Sequence, residues 1–226
     1  MKERSILFNA PMVRAVLDDS KTHTRQIMKP QPTYSGYSEV EAVLHLNNML
    51  QMGSIRCPYG QTGDQLWVRE AWRIGAWCED DEELAIDYLA SAPEKTSWIE
   101  VPESAAFEKY WIQSSDDCIE AGVGTDCNGD YHWEPGQSPC RKRPSIHMPR
   151  WVSRITLEIV SVRIERLQDI SAADAIAEGA PWSACGSPQE GSHKAGYAAL
   201  WESINGAGSW DANPLVWVVE FKKVTP

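Results

Sequence analysis

At 226 residues the chain has room for one generous domain, or for a small domain with a large insertion, and 42% hydrophobic content is ordinary for a protein with a buried core. Its formal charge of −11, from 32 acidic and 21 basic residues, argues against broad phosphate-driven binding to duplex nucleic acid and leaves only a local basic patch. No apolar run reaches the roughly 18 residues of a membrane span, and Met1-Lys2-Glu3-Arg4 leads into no secretory h-region. The sequence therefore predicts a cytoplasmic protein with no membrane partner, its six cysteines mostly reduced. Eleven Trp against three Phe is an unusual ratio, and Trp serves equally for cores and for stacking on bases.

In chain order, Ser5 to Phe8 reads as a short strand, and Asn9-Ala10-Pro11 opens a helix over Met12 to Leu17. Asp18-Asp19-Ser20 breaks that helix and delivers an extended segment with Thr22, Thr24 and Ile27, closed by Pro30 and Pro32. A helix is predicted from Glu39 to Met52. Gly63-Asp64 then forms a turn before a strand from Gln65 to Glu70. Residues 76–140 lack sustained periodicity. They are acidic from Glu79 to Asp87 and glycine-rich later, which predicts a loop-rich surface insertion without a core of its own, with Phe107 to Gln113 as its one strand.

Regular patterning returns with a strand over Ile155 to Ile164, where apolar and polar residues alternate. Ser171 caps a helix over Ala172 to Glu178, and Gly179 stands where a helix C-cap is wanted. A further helix covers Ala195 to Ile204, and the apolar run Leu215 to Phe221 reads as a central strand. Strands separated by short helices without a βαβ rhythm predict an α+β fold, a small mixed barrel with flanking helices in a single domain.

The Lys21-x-x-Thr24 pair can set an amine beside a hydroxyl in a cleft, although such pairs are also common in solvated turns. Asp19-Ser20-Lys21-Thr22-His23-Thr24-Arg25 resembles the signature loop of the ASCH family, within the PUA-like superfamily. Gly63-Asp64-Gln65-Leu66, the segment from Leu167 to Gly179 and the closing strand Val216 to Phe221 resemble that family's later elements, in the same order. Two details differ: Ser20 stands where the family usually has Gly, and Arg25 follows Thr24 directly where the pattern has one residue between. The resemblance implies a PUA-like barrel. It also implies a site at Lys21, Thr24 and Glu178 like that of the bacterial N(4)-acetylcytidine amidohydrolase. There Lys21 would activate the Thr24 hydroxyl for attack on an acyl carbonyl, and Glu178 would handle protons.

A basic segment, Arg141 to Arg154, supplies Arg141, Arg143, His147, Arg150, Trp151 and Arg154 as candidate contacts to RNA or single-stranded nucleic acid, together with Arg25. The same stretch, with Trp201 to Gly206, resembles longer ASCH-like proteins of phages and prophages. Cys118, Cys127, His132 and Cys140 have the composition of a zinc set, but their spacings of nine, five and eight lack a Cys-x-x-Cys knuckle. No cofactor is therefore predicted, with structural zinc as the alternative. Functionally, the sequence predicts an ASCH-type protein that handles nucleic acid or a modified nucleoside, with hydrolase activity on a modified cytidine. The alternatives are a non-catalytic RNA or DNA reader, and a phage accessory protein that binds a host protein.

Overall fold

The computed structural model describes residues 1–33, 36–91, 95–181 and 192–224. Among these residues eight strands and five α-helices, numbered in chain order, make a mixed α+β structure. The chain divides into two compact units: Met1–Arg4, Ala15–Leu66 and Thr156–Pro226 form the first, Ser5–Arg14 and Trp67–Ile155 the second.

A five-stranded sheet runs in the order β1-β3-β7-β8-β2, from β1 (Glu3–Leu7), β3 (Gln65–Arg69), β7 (Thr156–Arg166), β8 (Leu215–Lys223) and β2 (His23–Ile27). Strands β1 and β2 are its edges, so among the described residues the sheet is open where a closed barrel was expected. β8 lies between two antiparallel neighbours, with Ile159 opposite Phe221 on β7 and Thr24 opposite Val219 on β2. Both of its faces are buried, which accounts for its unbroken apolar run. In the first unit Val216 and Val218 pack with Leu167, Ile170, Ala175, Ala180, Tyr197 and Trp201.

The helices there begin and end as their sequences dictate. α2 (Glu39–Gln51) starts at a complete capping box between Ser38 and Glu41 and packs on β7. Its Asn47 amide clamps the main chain of Ile164, donating to the carbonyl at 2.8 Å and accepting from the N–H at 2.9 Å. α4 (Ala172–Ala177) starts where the Ser171 hydroxyl accepts from the Asp174 N–H, and Gly179, at φ +73°, ends it. A side chain at Gly179 would place a Cβ 2.9 Å from the Cβ of Ala15. α5 (Ser192–Asn205) brings Tyr197 and Trp201 onto the core.

The second unit holds a core where residues 76–140 were expected to form a coreless excursion. Strands β4 (Trp72–Cys78), β5 (Glu83–Tyr88) and β6 (Lys95–Glu100) form an antiparallel sheet, and α3 (Ser104–Glu120) follows. Trp72, Ile74, Leu84, Ile86, Tyr88 and Phe107 lead a core of their own. The acidic stretch concealed a strand because Asp87 is fully buried against Arg73, 3.0 Å away, a pairing that no local pattern reports. Phe107 to Gln113 is helix rather than strand: Phe107, Ser114 and Cys118 are buried at helical spacing on one face of α3.

Candidate functional site

Two of the three residues singled out for catalysis meet. Lys21 bridges to Glu178 as an isolated β-pair, a position set by the turn that ends α1 (Ala10–Leu17) and by the Gly179 turn after α4. The Lys21 ammonium donates to Glu178 Oε2 at 2.7 Å, to the Glu178 carbonyl at 3.0 Å and to the His23 carbonyl at 2.7 Å. Those three acceptors match the three donors of an ammonium group. Arg25 completes the cluster: it reaches Glu178 Oε1 at 3.2 Å, Glu165 at 3.0 Å and Asp174 at 2.9 Å. Arg163 in turn pairs with Glu165 at 2.5 Å and Asp174 at 3.2 Å.

Three cations thus face three carboxylates, with the Lys21 and Arg25 side chains fully buried and that of Glu178 3% exposed. Burial would lower the Arg25 pKa, but Glu178 and Glu165 outweigh it and hold it above its ordinary value. At Asp174 burial raises and the Arg25 and Arg163 guanidinium groups lower; the guanidinium groups win, and its carboxyl sits below the usual range. Burial, helped by the Glu178 charge, pushes the Tyr197 phenol far upward. His23 lies beside the cluster, 3.9 Å from Glu220, and burial lowers its pKa against the pull of that carboxylate. Arg25 Nε has no hydrogen-bond partner among the described residues.

Thr24 does not join this cluster. β2 pairs with β8 in unbroken register, so successive side chains point to opposite faces and Thr24 faces away from Arg25. Thr24, Val219 and Val162 form one row across three strands and share a face. Val162 lines a cleft of about 500 Å³ whose wall also carries Lys2, Arg4, Arg56, Gln61 and Asp64. Asp64 gives the Gly63-Asp64 turn a structural purpose: its carboxylate accepts from the Lys2 N–H at 2.8 Å, from the Gln61 N–H at 3.3 Å and from Arg4 at 3.1 Å.

The basic segment is divided between interior and surface. Arg143 is buried, stacked over Trp72 and Tyr110, and Arg154 makes a bidentate pair with Glu70 at 2.9 and 3.0 Å while lying 4.0 Å over the Tyr88 ring. Arg141 is tied to Asp117 at 2.6 Å, and Trp151 packs edge-on against Tyr110. Arg141, His147 and Arg150 remain exposed, the last over the Trp67 ring. Arg25 lies in the charge cluster, not on a nucleic-acid-facing surface.

The zinc candidates separate as well. Cys118 and Cys140 are neighbours in the second core, where burial and the partner thiol push Cys118 up to about 12. Cys127 is exposed and His132 pairs with Asp126 at 2.9 Å. No group of three or more metal-binding side chains occurs among the described residues, and Cys185 lies outside them. No helix among the described residues is long and apolar enough to cross a membrane.

Sequence reasoning missed Arg163, Glu165 and Asp174. The signal was present: Arg163 and Glu165 are opposite charges two apart on one face of an alternating strand, and Asp174 stands three residues after a helix cap. Comparison with protein-family models, with curated proteins and with solved structures finds no match.

Proposed function

We propose that this chain is an ASCH-like, PUA-type module that binds a nucleoside or an unpaired nucleotide of RNA or single-stranded nucleic acid, with the cleft beside Val162 as its ligand site. One observation carries this reading: in a chain of net charge −11, the cleft wall brings together Lys2, Arg4 and Arg56 against a single carboxylate, Asp64. A cleft of about 500 Å³ suits a nucleotide-sized ligand, and its cations suit a phosphate. The four sequence elements that resemble the ASCH family, in order and within an α+β structure, support the same reading.

The placement of Lys21 and Thr24 favours a binding role over nucleophilic catalysis. A lysine that serves as base needs a free lone pair directed at the hydroxyl. Here all three ammonium donors have acceptors, and Thr24 lies on the other face of the sheet from Arg25. The decisive measurement is titration of a short single-stranded RNA at two salt concentrations, with wild type and a Lys2→Ala, Arg56→Ala double variant. The variant binds about tenfold more weakly or worse, with a shallower salt dependence. Absence of binding by wild type sinks the proposal.

The Lys21–Glu178 contact at 2.7 Å keeps the amidohydrolase as a second reading. It predicts turnover of N(4)-acetylcytidine that Lys21→Ala abolishes, and lack of turnover by wild type discards it.

A further inference from the structure

The second unit holds a pocket unrelated to the cleft above. Four aromatic side chains line it: Trp77 from β4, Trp111 from α3, and Tyr131 and Trp133 from the loop beyond α3. The Trp77 ring stands 5.7 Å from Trp133 at an interplanar angle of 51°, and 6.0 Å from Tyr131 at 63°. These walls meet at angles instead of stacking flat, and they line a shared space of about 370 Å³.

The loop that brings two of these rings is held in place. Asp126 accepts from the Asn128 and Asp130 N–H groups at 2.8 and 3.0 Å and pairs with His132 at 2.9 Å. Thr125 and Tyr131 form a β-bridge across the turn. The Trp133 indole donates to the Gly75 carbonyl at 2.7 Å, which fixes that ring against β4.

Charge identifies the ligand class. The lining includes two carboxylates, Glu79 and Asp130, and the His132 imidazole, which is held by Asp126 at 2.9 Å; it has neither lysine nor arginine. Aromatic faces carry negative electrostatic potential, so rings and carboxylates together attract a cation and repel a phosphate. A methylated ammonium suits such a box better than a bare one. Its charge is spread over methyl groups that pack on the rings, and it gives up less hydration on entry. We propose that this pocket binds a small organic cation bearing a trimethylammonium group.

The test titrates the purified full chain with choline, followed by tryptophan fluorescence and calorimetry. A parallel titration uses the neutral carbon isostere, in which a tert-butyl group replaces trimethylammonium. Choline saturates the protein, and the isostere binds about tenfold more weakly or worse. The surface substitutions Glu79→Gln and Asp130→Asn, made together, weaken choline severalfold while leaving thermal unfolding unchanged. Trp111→Phe tests the box with little risk to the fold: it keeps an aromatic face but a poorer one, and weakens choline by a smaller factor. Equal binding of the isostere, unaltered affinity in the double variant, or failure of choline to saturate each overturns the assignment. Two further arms separate neighbouring chemistries. Binding of cytidine at this pocket would make it a base-stacking site instead. Cosedimentation with phosphatidylcholine vesicles would assign the trimethylammonium to a lipid headgroup, where the adjoining phosphate must then tolerate Glu79 and Asp130.

Discussion

Removing the Glu178 carboxylate by Glu178→Ala should destabilise the first unit by about 3 kcal/mol, a large share of the stability of a typical domain. The figure follows from what remains after the substitution. Breaking a buried ion pair from one side costs about 3–5 kcal/mol, because the other charge stays buried without compensation. Glu178 serves two buried cations, Lys21 and Arg25, which alone would place the loss high in that range. Arg25, however, retains Glu165 and Asp174, and Lys21 retains the carbonyls of His23 and residue 178, which brings the value to the lower end. The backbone adds nothing, since residue 178 sits at an ordinary helical φ of −78°. Urea unfolding monitored by fluorescence gives the free-energy difference directly. A second comparison removes both charges at once: Lys21→Met with Glu178→Leu leaves two cations, Arg25 and Arg163, facing two carboxylates, Glu165 and Asp174, and should cost less than the two single changes added together. A loss below about 1 kcal/mol for Glu178→Ala, or strict additivity in the double variant, would refute the argument that these charges depend on one another.

Gly179→Ala should cost about 2 kcal/mol by the same assay, because alanine must adopt φ +73° and set its Cβ 2.9 Å from that of Ala15. Asn47→Ala should cost about 2 kcal/mol, since the Ile164 N–H and carbonyl both lose their partner. The Asp174 carboxyl is held below its unfolded pKa, so its contribution is present above about pH 4 and fades as pH falls through the folded value. Asp174→Asn should accordingly flatten the acid limb of a stability–pH curve. Tyr88, pushed up to about 12 by burial, has the opposite sign: its contribution holds below the ordinary tyrosine pKa of about 10 and is lost as pH rises through about 12. Ultraviolet titration should show one phenol ionising there, and Tyr88→Phe should remove it along with the 2.7 Å bond to the Val152 carbonyl.

What the sequence discloses about this fold is mostly local. Ser171 and Gly179 frame α4, the Asn9 side chain caps α1 by accepting from the Met12 N–H, and the alternation after Ile155 marks β7, because caps and alternation are decided within a few residues. Buried charge is another matter. Arg25 and Asp87 resemble solvent-facing residues until the partner comes into view, and for Arg25 those partners are 140 to 153 positions away. The aromatic content of residues 76–140 was in plain sight, but its glycines and acids outweighed it as a sign of structure. The β4-β5-β6 sheet, the pairing of Asp87 with Arg73 and the helical spacing of Phe107, Ser114 and Cys118 show that the stretch folds on itself. At the candidate site, the sequence pointed to the meeting of Lys21 with Glu178, whereas the face taken by Thr24 depends on register with β8, which spacing alone does not fix.

That register gives the adjacency of Thr24 and Arg25 its meaning. On a pleated strand, positions two apart look the same way and adjacent positions look opposite ways. Thr24 and Arg25 therefore serve two spaces, the hydroxyl on one side of the sheet and the guanidinium in the salt cluster on the other. Chain length here behaves as a parity switch. Inserting one residue after Thr24 would carry the guanidinium out of the cluster and move every later side chain of β2 across the sheet, so the salt cluster fixes the number of residues between Lys21 and Arg25.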